Sequence, residues 1–542
     1  MLGRSILRPS ILALALAAAA PALAQDVAPP EGAPAELGDL TPGEQIQALL
    51  TQGQEQYNAG NYEAALQSFT PVVRAFEQSG AYRPEPLLLR ARTYAKLEEY
   101  EPALDDLKKA FQYAQSQPAL LPQIQNARAE IYMDLKAYEE AYPDLQAALE
   151  IARNDPQINF NYGKALVYLG GAQMAEKPLT KYIEAAAAAV EERAAEGESL
   201  TEEQNEQRSE AHVLLARAYA ATLKYEKSRE AIATALEIDP DNYDAYFTRA
   251  QINLQAEEYG AAVADIRQSI ENYEPEEEED TMPFAQGYLF LASALEEKGK
   301  ELARNGDEQA ADAAYAESEK AAERLIELLP EEDMRSLGVR MAALFRKGVA
   351  ERLQGDLGDA VTSFSQVIEI DPNQGEAYFR RGICFHFLGE ERLAVRDFEQ
   401  AASINFDSPR SNLWKGMSYA KNGEYREAIR AYGESIAVSD RYTPAYVNRG
   451  LAHLSLGNYQ KAIDDFNEAI RLNPTDAANY YRRGRAQALL GEREKAIRSF
   501  TNAIEFDPEL RPAYSAAAEE LAADGQEALA AEYRSRLATL GE

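Results

Sequence analysis

The chain has 542 residues, with 55 Lys or Arg against 90 Asp or Glu and a formal net charge of −35. Nucleic acid and anionic membrane surfaces are disfavoured as partners, because binding either calls for a basic surface. The single cysteine, Cys384, excludes an internal disulfide, so stability must come from packing.

At the amino terminus Arg4 and Arg8 precede an apolar stretch from Ile11 to Ala20, which is followed by Ala22, Leu23 and Ala24. Charged, apolar and A-x-A segments in that order read as a signal peptide over 1–24, cleaved after Ala24. The apolar run is well short of the roughly 20 residues that a spanning helix needs. The mature protein is therefore expected to be exported, periplasmic or secreted, and to carry no transmembrane segment. Residues 25–45 hold Pro29, Pro30, Pro34 and Pro42 among small residues, the composition of a flexible linker.

From Ile46 the chain reads as helical pairs. Units begin near 46, 84, 122, 156, 209, 243, 285, 341, 375, 409, 443 and 477, with a degenerate one near 511. The early steps are irregular, and every step from 341 onward is 34 residues. This separates an irregular acidic array, 46–340, from a regular array with a carboxy-terminal cap, 341–542. The second of these holds 25 Lys or Arg against 30 Asp or Glu, so nearly all the net charge falls before it. Two insertions stand out. Residues 183–210 predict an extended helix that breaks near Gly197–Ser199 and returns at Ser209. In the unit from Ala285, with Tyr288 at its fourth position, the excess length predicts extra turns around Asn305, Gly306 and Asp307, in a hairpin that protrudes from the stack.

The regular half shows why the pairs must stack. Gly348, Gly382, Gly416, Gly450 and Gly484 recur every 34 residues, and Gly355, Gly389, Gly423, Gly457 and Gly491 follow seven residues later. A glycine in mid-helix costs about 1 kcal/mol relative to alanine, so the first set implies a close approach between helices. The second set suits left-handed caps that end each first helix. A repeat this short cannot bury its apolar face alone, so the fold class is an all-α solenoid.

Tyr378, Gly382, Phe385, Ala394, Phe398 and Ala401 in one unit, and Tyr480, Gly484, Ala496, Phe500, Ala503 and Pro508 in another, carry a known signature. On these residues the chain resembles the tetratricopeptide repeat family over nearly everything after residue 45. The resemblance implies a right-handed superhelix of about twelve hairpins plus a degenerate carboxy-terminal capping unit, with a concave groove that binds protein or peptide partners. In that family the groove is lined from positions 5, 9 and 12 of each first helix. Here these positions yield Phe345, Val349, Phe379, Ile383, His386, Leu413, Met417, Val447, Leu451, Tyr481 and Arg485 as partner-binding candidates. Most are apolar, and a water-exposed row of this kind marks a partner site. Position 7, usually aliphatic in the family, is Lys347, Arg381, Lys415, Arg449 and Arg483. Their stems must pack while their charges find Asp or Glu within the chain.

Chemistry is absent from the pattern. There is no phosphate loop, no G-x-S-x-G elbow and no C-x-x-C. The acidic run of Glu274 and Glu276 to Asp280 lacks the spaced ligands and turn glycine of a calcium loop, and reads as a solvated loop. His212 and His453 occupy aromatic positions of the repeat, which assigns them to packing, and Cys384 reads as a small buried hydrophobe. No catalytic residue, cofactor or metal is expected. The functional expectation is a scaffold or adaptor of the cell envelope, with envelope proteins as partners by resemblance. Its principal partner is expected in the groove of 341–510, the acidic half serving as spacer or as a secondary site for basic partners. A carbohydrate- or small-ligand-binding protein using the tyrosine-rich groove is the alternative, and a hydrolase with an unrecognised site a third reading. No oligomeric state is assigned.

Overall fold

The structure, a computed structural model, describes residues 40–273, 282–329, 336–404 and 406–540. The expected leader over 1–24, most of the expected linker, the acidic run up to Asp280, and Pro330 lie outside these. Contacts divide the chain into two compact units, Met1–Glu274 and Pro275–Glu542. The described residues are helical hairpins throughout, with no strand among them.

The first unit holds six hairpins: α1 (Pro42–Asn58) with α2 (Tyr62–Ser79), α3 (Pro84–Lys96) with α4 (Tyr100–Tyr113), α5 (Leu121–Asp134) with α6 (Tyr138–Ile151), α7 (Pro156–Tyr168) with α8 (Ala172–Glu196), α9 (Glu202–Ala221) with α10 (Tyr225–Ile238), and α11 (Tyr243–Gln255) with α12 (Tyr259–Asn272). The first helix starts inside the expected linker. Pro42 takes the first helical position, where its missing N–H is no loss, and Thr41 and Glu44 close a capping box.

The second unit holds seven: α13 (Met282–Arg304) with α14 (Glu308–Leu328), α15 (Leu337–Gln354) with α16 (Leu357–Ile370), α17 (Gly375–Leu388) with α18 (Glu391–Ser403), α19 (Ser408–Lys421) with α20 (Tyr425–Val438), α21 (Thr443–Ser455) with α22 (Tyr459–Leu472), α23 (Ala477–Leu490) with α24 (Arg493–Phe506), and α25 (Arg511–Ala523) with α26 (Glu527–Thr539).

One fit recurs inside the hairpins. The recurring glycine of the first helix faces a ring sixteen residues later in the second at Gly53, Gly299, Gly348, Gly382, Gly416, Gly450 and Gly484, whereas Gly163 faces Leu179. A Cβ at Gly450 would stand 2.8 Å from the ring of Phe466, and one at Gly416 only 2.4 Å from that of Tyr432. Where the first helix carries alanine instead, at Ala91, Ala129, Ala216 and Ala250, the facing residue is the slimmer Leu107, Leu145, Ile232 or Ile266, all buried. The pair keeps its volume by trading a methyl for a ring, which is how a core stays filled without strain.

The same sixteen-residue step ties the hairpins electrostatically. Arg90, Arg128, Arg249, Arg381 and Arg449 each place Nε and Nη2 on the two carboxylate oxygens of Asp106, Asp144, Asp265, Asp397 and Asp465. The pairing expected of the cations at position 7 is thus met within the chain for Arg381 and Arg449. Lys347 reaches Glu323 at 2.5 Å and Lys415 reaches Glu434 at 2.5 Å.

Hairpin tips differ between the two halves. Gly355, Gly389, Gly423, Gly457 and Gly491 all have positive φ, the left-handed cap that glycine adopts at no steric cost. At the same tip position the first unit keeps a left-handed glycine at Gly60 and Gly170 but has Glu98, Lys136, Leu223 and Glu257 in the other four hairpins, with φ of 58–60°, so those four turns hold left-handed side chains under strain.

Both insertions lengthen helices. Residue Gly197, with φ of 76°, ends the 25-residue α8, and a capping box of Thr201 and Gln204 starts α9. For the long hairpin α13–α14 the expected register needs correction. Gly299 would place a Cβ 2.4 Å from the Tyr315 ring, and the Ser318 hydroxyl donates to the Ala292 carbonyl at 2.7 Å, as Ser435 donates to Pro409. Gly306 is left-handed like the other tip glycines. The frame of this repeat therefore starts at Ala292, not Ala285, and its tip is an ordinary one. The extra turns lie at the open end, where Ala285, Leu325 and Leu329 pack on Ala343. Tyr288 imitates the fourth-position aromatic, but the glycine–ring fit decides the register.

Candidate functional site: an acidic groove in the first unit

Within each unit, neighbouring hairpins contact one another from second helix to next first helix, and several also directly between first helices. In the first unit the first helices α5, α7, α9 and α11 thereby line a groove of about 1290 Å³. Ten carboxylates border it: Glu130, Asp134, Glu202, Glu203, Glu206, Glu210, Asp239, Asp241, Asp244 and Glu271. The only lysine or arginine on its lining is Lys164, which Glu210 holds at 2.7 Å. Asp244 is taken by Arg217.

The inserted turns of α9 build one wall. Their capping box fixes the start at Thr201, so Glu202, Glu203 and Glu206 come off successive turns beside Asp239. Glu203 lies 3.9 Å from Lys96, three hairpins back, and Gln207 joins Tyr182 to Gln157 by hydrogen bonds of 3.1 and 3.3 Å. The insertion is thus held across the groove. At its floor Glu130 accepts from Asn126 at 2.9 Å and Asn161 at 3.0 Å. Burial still pushes its carboxyl above the usual range, against Arg92 and those two amides. Burial raises Asp134 and Asp239 as well, and Glu206 is raised by burial and then by the charges of Asp239, Glu202 and Glu203. Each shift records the cost of gathering negative charge where water is partly excluded. Tyr168 of the lining stacks on Tyr138, 4.4 Å away and 9° from parallel. Among the described residues no three His, Cys, Asp or Glu side chains converge as a metal ion would need. The charge is spread along the groove, which suits an elongated polycation better than one ion.

The row expected from sequence in the second unit is placed differently. Val349, Phe379, Ile383 and Leu413 are buried, as is His386, and Phe345, Met417, Val447 and Tyr481 are half-buried. Only Leu451 and Arg485 are exposed. The expectation of a water-exposed apolar strip is thus corrected. The rings of Phe345, Phe379 and Tyr481 turn onto Phe364, Phe398 and Phe500 of their own hairpins, with centroids 5.6, 5.8 and 5.9 Å apart, because the neighbouring glycine leaves room for a second ring. Exposed apolar residues of this unit are found at hairpin tips, as Phe387 and Leu489, and at the opposite ends, as Val438 and Phe506. His386 bonds through one nitrogen, Nδ1, to both Glu391 (2.9 Å) and Ser418 (2.8 Å). A relay needs the two partners on opposite ring nitrogens, so this is a packing contact.

Sequence reading placed the negative charge in the correct half and missed the groove. The signal was present in the capping sequence Thr201 to Gln204, which fixes where the acidic turns begin, but nothing in the order of residues says which helices they lie across.

Family profiles agree with this architecture. Family profiles described as tetratricopeptide repeat match residues 122–155, 213–277, 297–375, 443–476 and 477–510, and a profile for anaphase-promoting complex subunit 5 matches 49–121. Among solved structures, MamA is 26% identical over 30% of this chain and 95% of its own, with a TM-score of 0.29. YrrB, described as a TPR protein with an unusual peptide-binding site, is 19% identical over 36% and 96%, with a TM-score of 0.31. Cut9 with Hcn1, an APC/C hetero-tetramer, is 16% identical over 94% and 95%, with a TM-score of 0.32. Comparison with curated proteins gives no match. With its hairpins stacked on one recurring glycine–ring fit and its repeats matched along both units, the chain belongs to the tetratricopeptide repeat family.

Proposed function

We propose that this protein is a protein-interaction scaffold whose first unit holds a Lys- or Arg-rich segment of a partner in its acidic groove. The groove's ten carboxylates against one paired lysine carry this reading. A basic segment would neutralise groups that burial already holds above their usual range, so binding is favoured by the strain of the empty groove and is weakened by salt. The order of importance expected from sequence is thereby reversed: the acidic half becomes the main site, and Leu451, Tyr481 and Arg485 in the second unit a lesser contact edge. The leader over 1–24 supports an exported scaffold working among envelope proteins, and sequencing the mature amino terminus tests that placement. Among the described residues no helix is long and apolar enough to cross a membrane.

The test uses the full chain and hexalysine. Replacing Glu202, Glu203 and Glu206 by Gln should weaken hexalysine binding by roughly tenfold at low salt, on the scale of 1.4 kcal/mol per decade, and flatten its salt dependence. Unchanged affinity for hexalysine in the folded variant, or an affinity that does not fall with salt, refutes the reading. Stabilisation by an uncharged oligosaccharide and not by hexalysine would favour the carbohydrate-binding alternative.

A further inference from the structure

Six arginines occupy the seventh position of a repeat, and five of them meet an aspartate sixteen residues on. The sixth, Arg483, meets Ser499. Its Nε donates to the Ser499 hydroxyl at 3.0 Å and its Nη1 to Asn467 Oδ1 at 3.0 Å. Among the described residues nothing accepts from Nη2, the nitrogen that in the other five holds the second carboxylate oxygen. In the regular array the two lysines at this position, Lys347 and Lys415, also lack the aspartate but recover Glu323 and Glu434. Arg483 alone in the regular array is left without a carboxylate. Burial lowers its guanidinium below the usual value, with only Tyr480 opposing. The surroundings match: residues 477–506 hold six Lys or Arg against three Asp or Glu in a chain of net charge −35. Arg482, Arg485 and Arg498 make no ion pair among the described residues, and Arg498 directly precedes Ser499 in α24.

We infer that Arg483, whose Nη2 is free and whose Nε and Nη1 hold only the neutral oxygens of Ser499 and Asn467, is a docking site for a carboxylate on an acidic segment of a partner protein, the carboxylate displacing the Ser499 hydroxyl from Nε. The site lies in the second unit and shares no residue with the acidic groove of the first. The fork is shaped for a planar pair of oxygens, as the five aspartates show, and Arg–carboxylate pairing of this kind is the strong, bidentate class. Four unpaired arginines on one hairpin suit a run of acidic residues better than a single small ion.

The experiment measures binding of fluorescent hexaglutamate to the full chain. Ser499→Asp restores the internal pair seen in five other hairpins, and should weaken binding by roughly tenfold while raising the thermal midpoint. Thr501→Asp adds the same charge on an exposed position of the same helix and should weaken binding by roughly threefold or less, the scale of an exposed charge. Arg483→Gln should lose about as much as Ser499→Asp and decides the matter if that variant fails to fold. Equal losses for Ser499→Asp and Thr501→Asp, or full binding by Arg483→Gln, overturn the site. Displacement of the peptide by inorganic phosphate at equal charge would overturn the assignment to a polypeptide carboxylate and give the fork to a free anion.

Discussion

Replacing Gly450 by alanine tests the fit that holds each hairpin. An added Cβ would lie 2.8, 3.0 and 3.2 Å from three atoms of the Phe466 ring, where carbon atoms rest about 3.5–4.0 Å apart. Phe466 is fully buried, so the ring must shift by about half an ångström or more against packed neighbours. Overpacking of this kind costs about 1–3 kcal/mol, and helix propensity returns about 1 kcal/mol, so the net loss is about 1 kcal/mol. The same change at Gly416, 2.4 Å from Tyr432, should cost more, and at Gly348, 3.0 Å from Phe364, close to nothing. Phe466→Leu alone should cost about 1 kcal/mol of lost volume. Together, Gly450→Ala and Phe466→Leu rebuild the alanine–leucine pair of Ala91 with Leu107, so the double variant should be more stable than the sum of the two losses by about 1–2 kcal/mol. Repeat arrays open locally, so amide exchange in α21 and α22 of the full chain is the assay. If the single losses add to the double within about 0.5 kcal/mol, the reasoning about the glycine–ring pair is wrong.

Leu223, at 73% exposure with φ of 60°, should give about 1 kcal/mol of stability when replaced by glycine, since only the left-handed strain is lost; exchange in α9 and α10 reads this. Asp465→Ala leaves the Arg449 guanidinium without its fork partner and should cost about 2 kcal/mol, while adding Arg449→Met should recover part of the loss in the same exchange assay. Burial, and then Arg208, push His212 down to about 4 from 6.5. The unfolded chain therefore binds more protons between those values, and the contribution of His212 is full above pH 6.5 and lost as pH falls toward 4; His212→Phe should flatten that part of the stability profile, and an unchanged profile refutes it. Burial pushes the Cys384 thiol up to about 11, so iodoacetamide at pH 8 should label it at the rate of unfolding and not at the rate of a free thiol.

The sequence alone was enough to count the hairpins, because the 34-residue step, the mid-helix glycines and the tip glycines are each local consequences of one helix meeting its neighbour in the chain. It also placed the break at Gly197, where helix propensity ends in a residue that accepts positive φ. The packing of His453 and the pairing of Arg381 and Arg449 followed from position within the repeat. Three things depended on tertiary structure. The frame of the long hairpin was set by Gly299 against Tyr315, a fit across two helices that Tyr288 disguised. The row from Phe345 to Tyr481 turned inward because a ring finds more apolar surface over a glycine than in water, and a spacing rule records which face a residue is on but not how deep it lies. The acidic groove required helices α5, α7, α9 and α11 to come together. Charge along a chain is visible in its order of residues, but whether those charges repel one another across a shared cavity depends on distances that only the packed helices set.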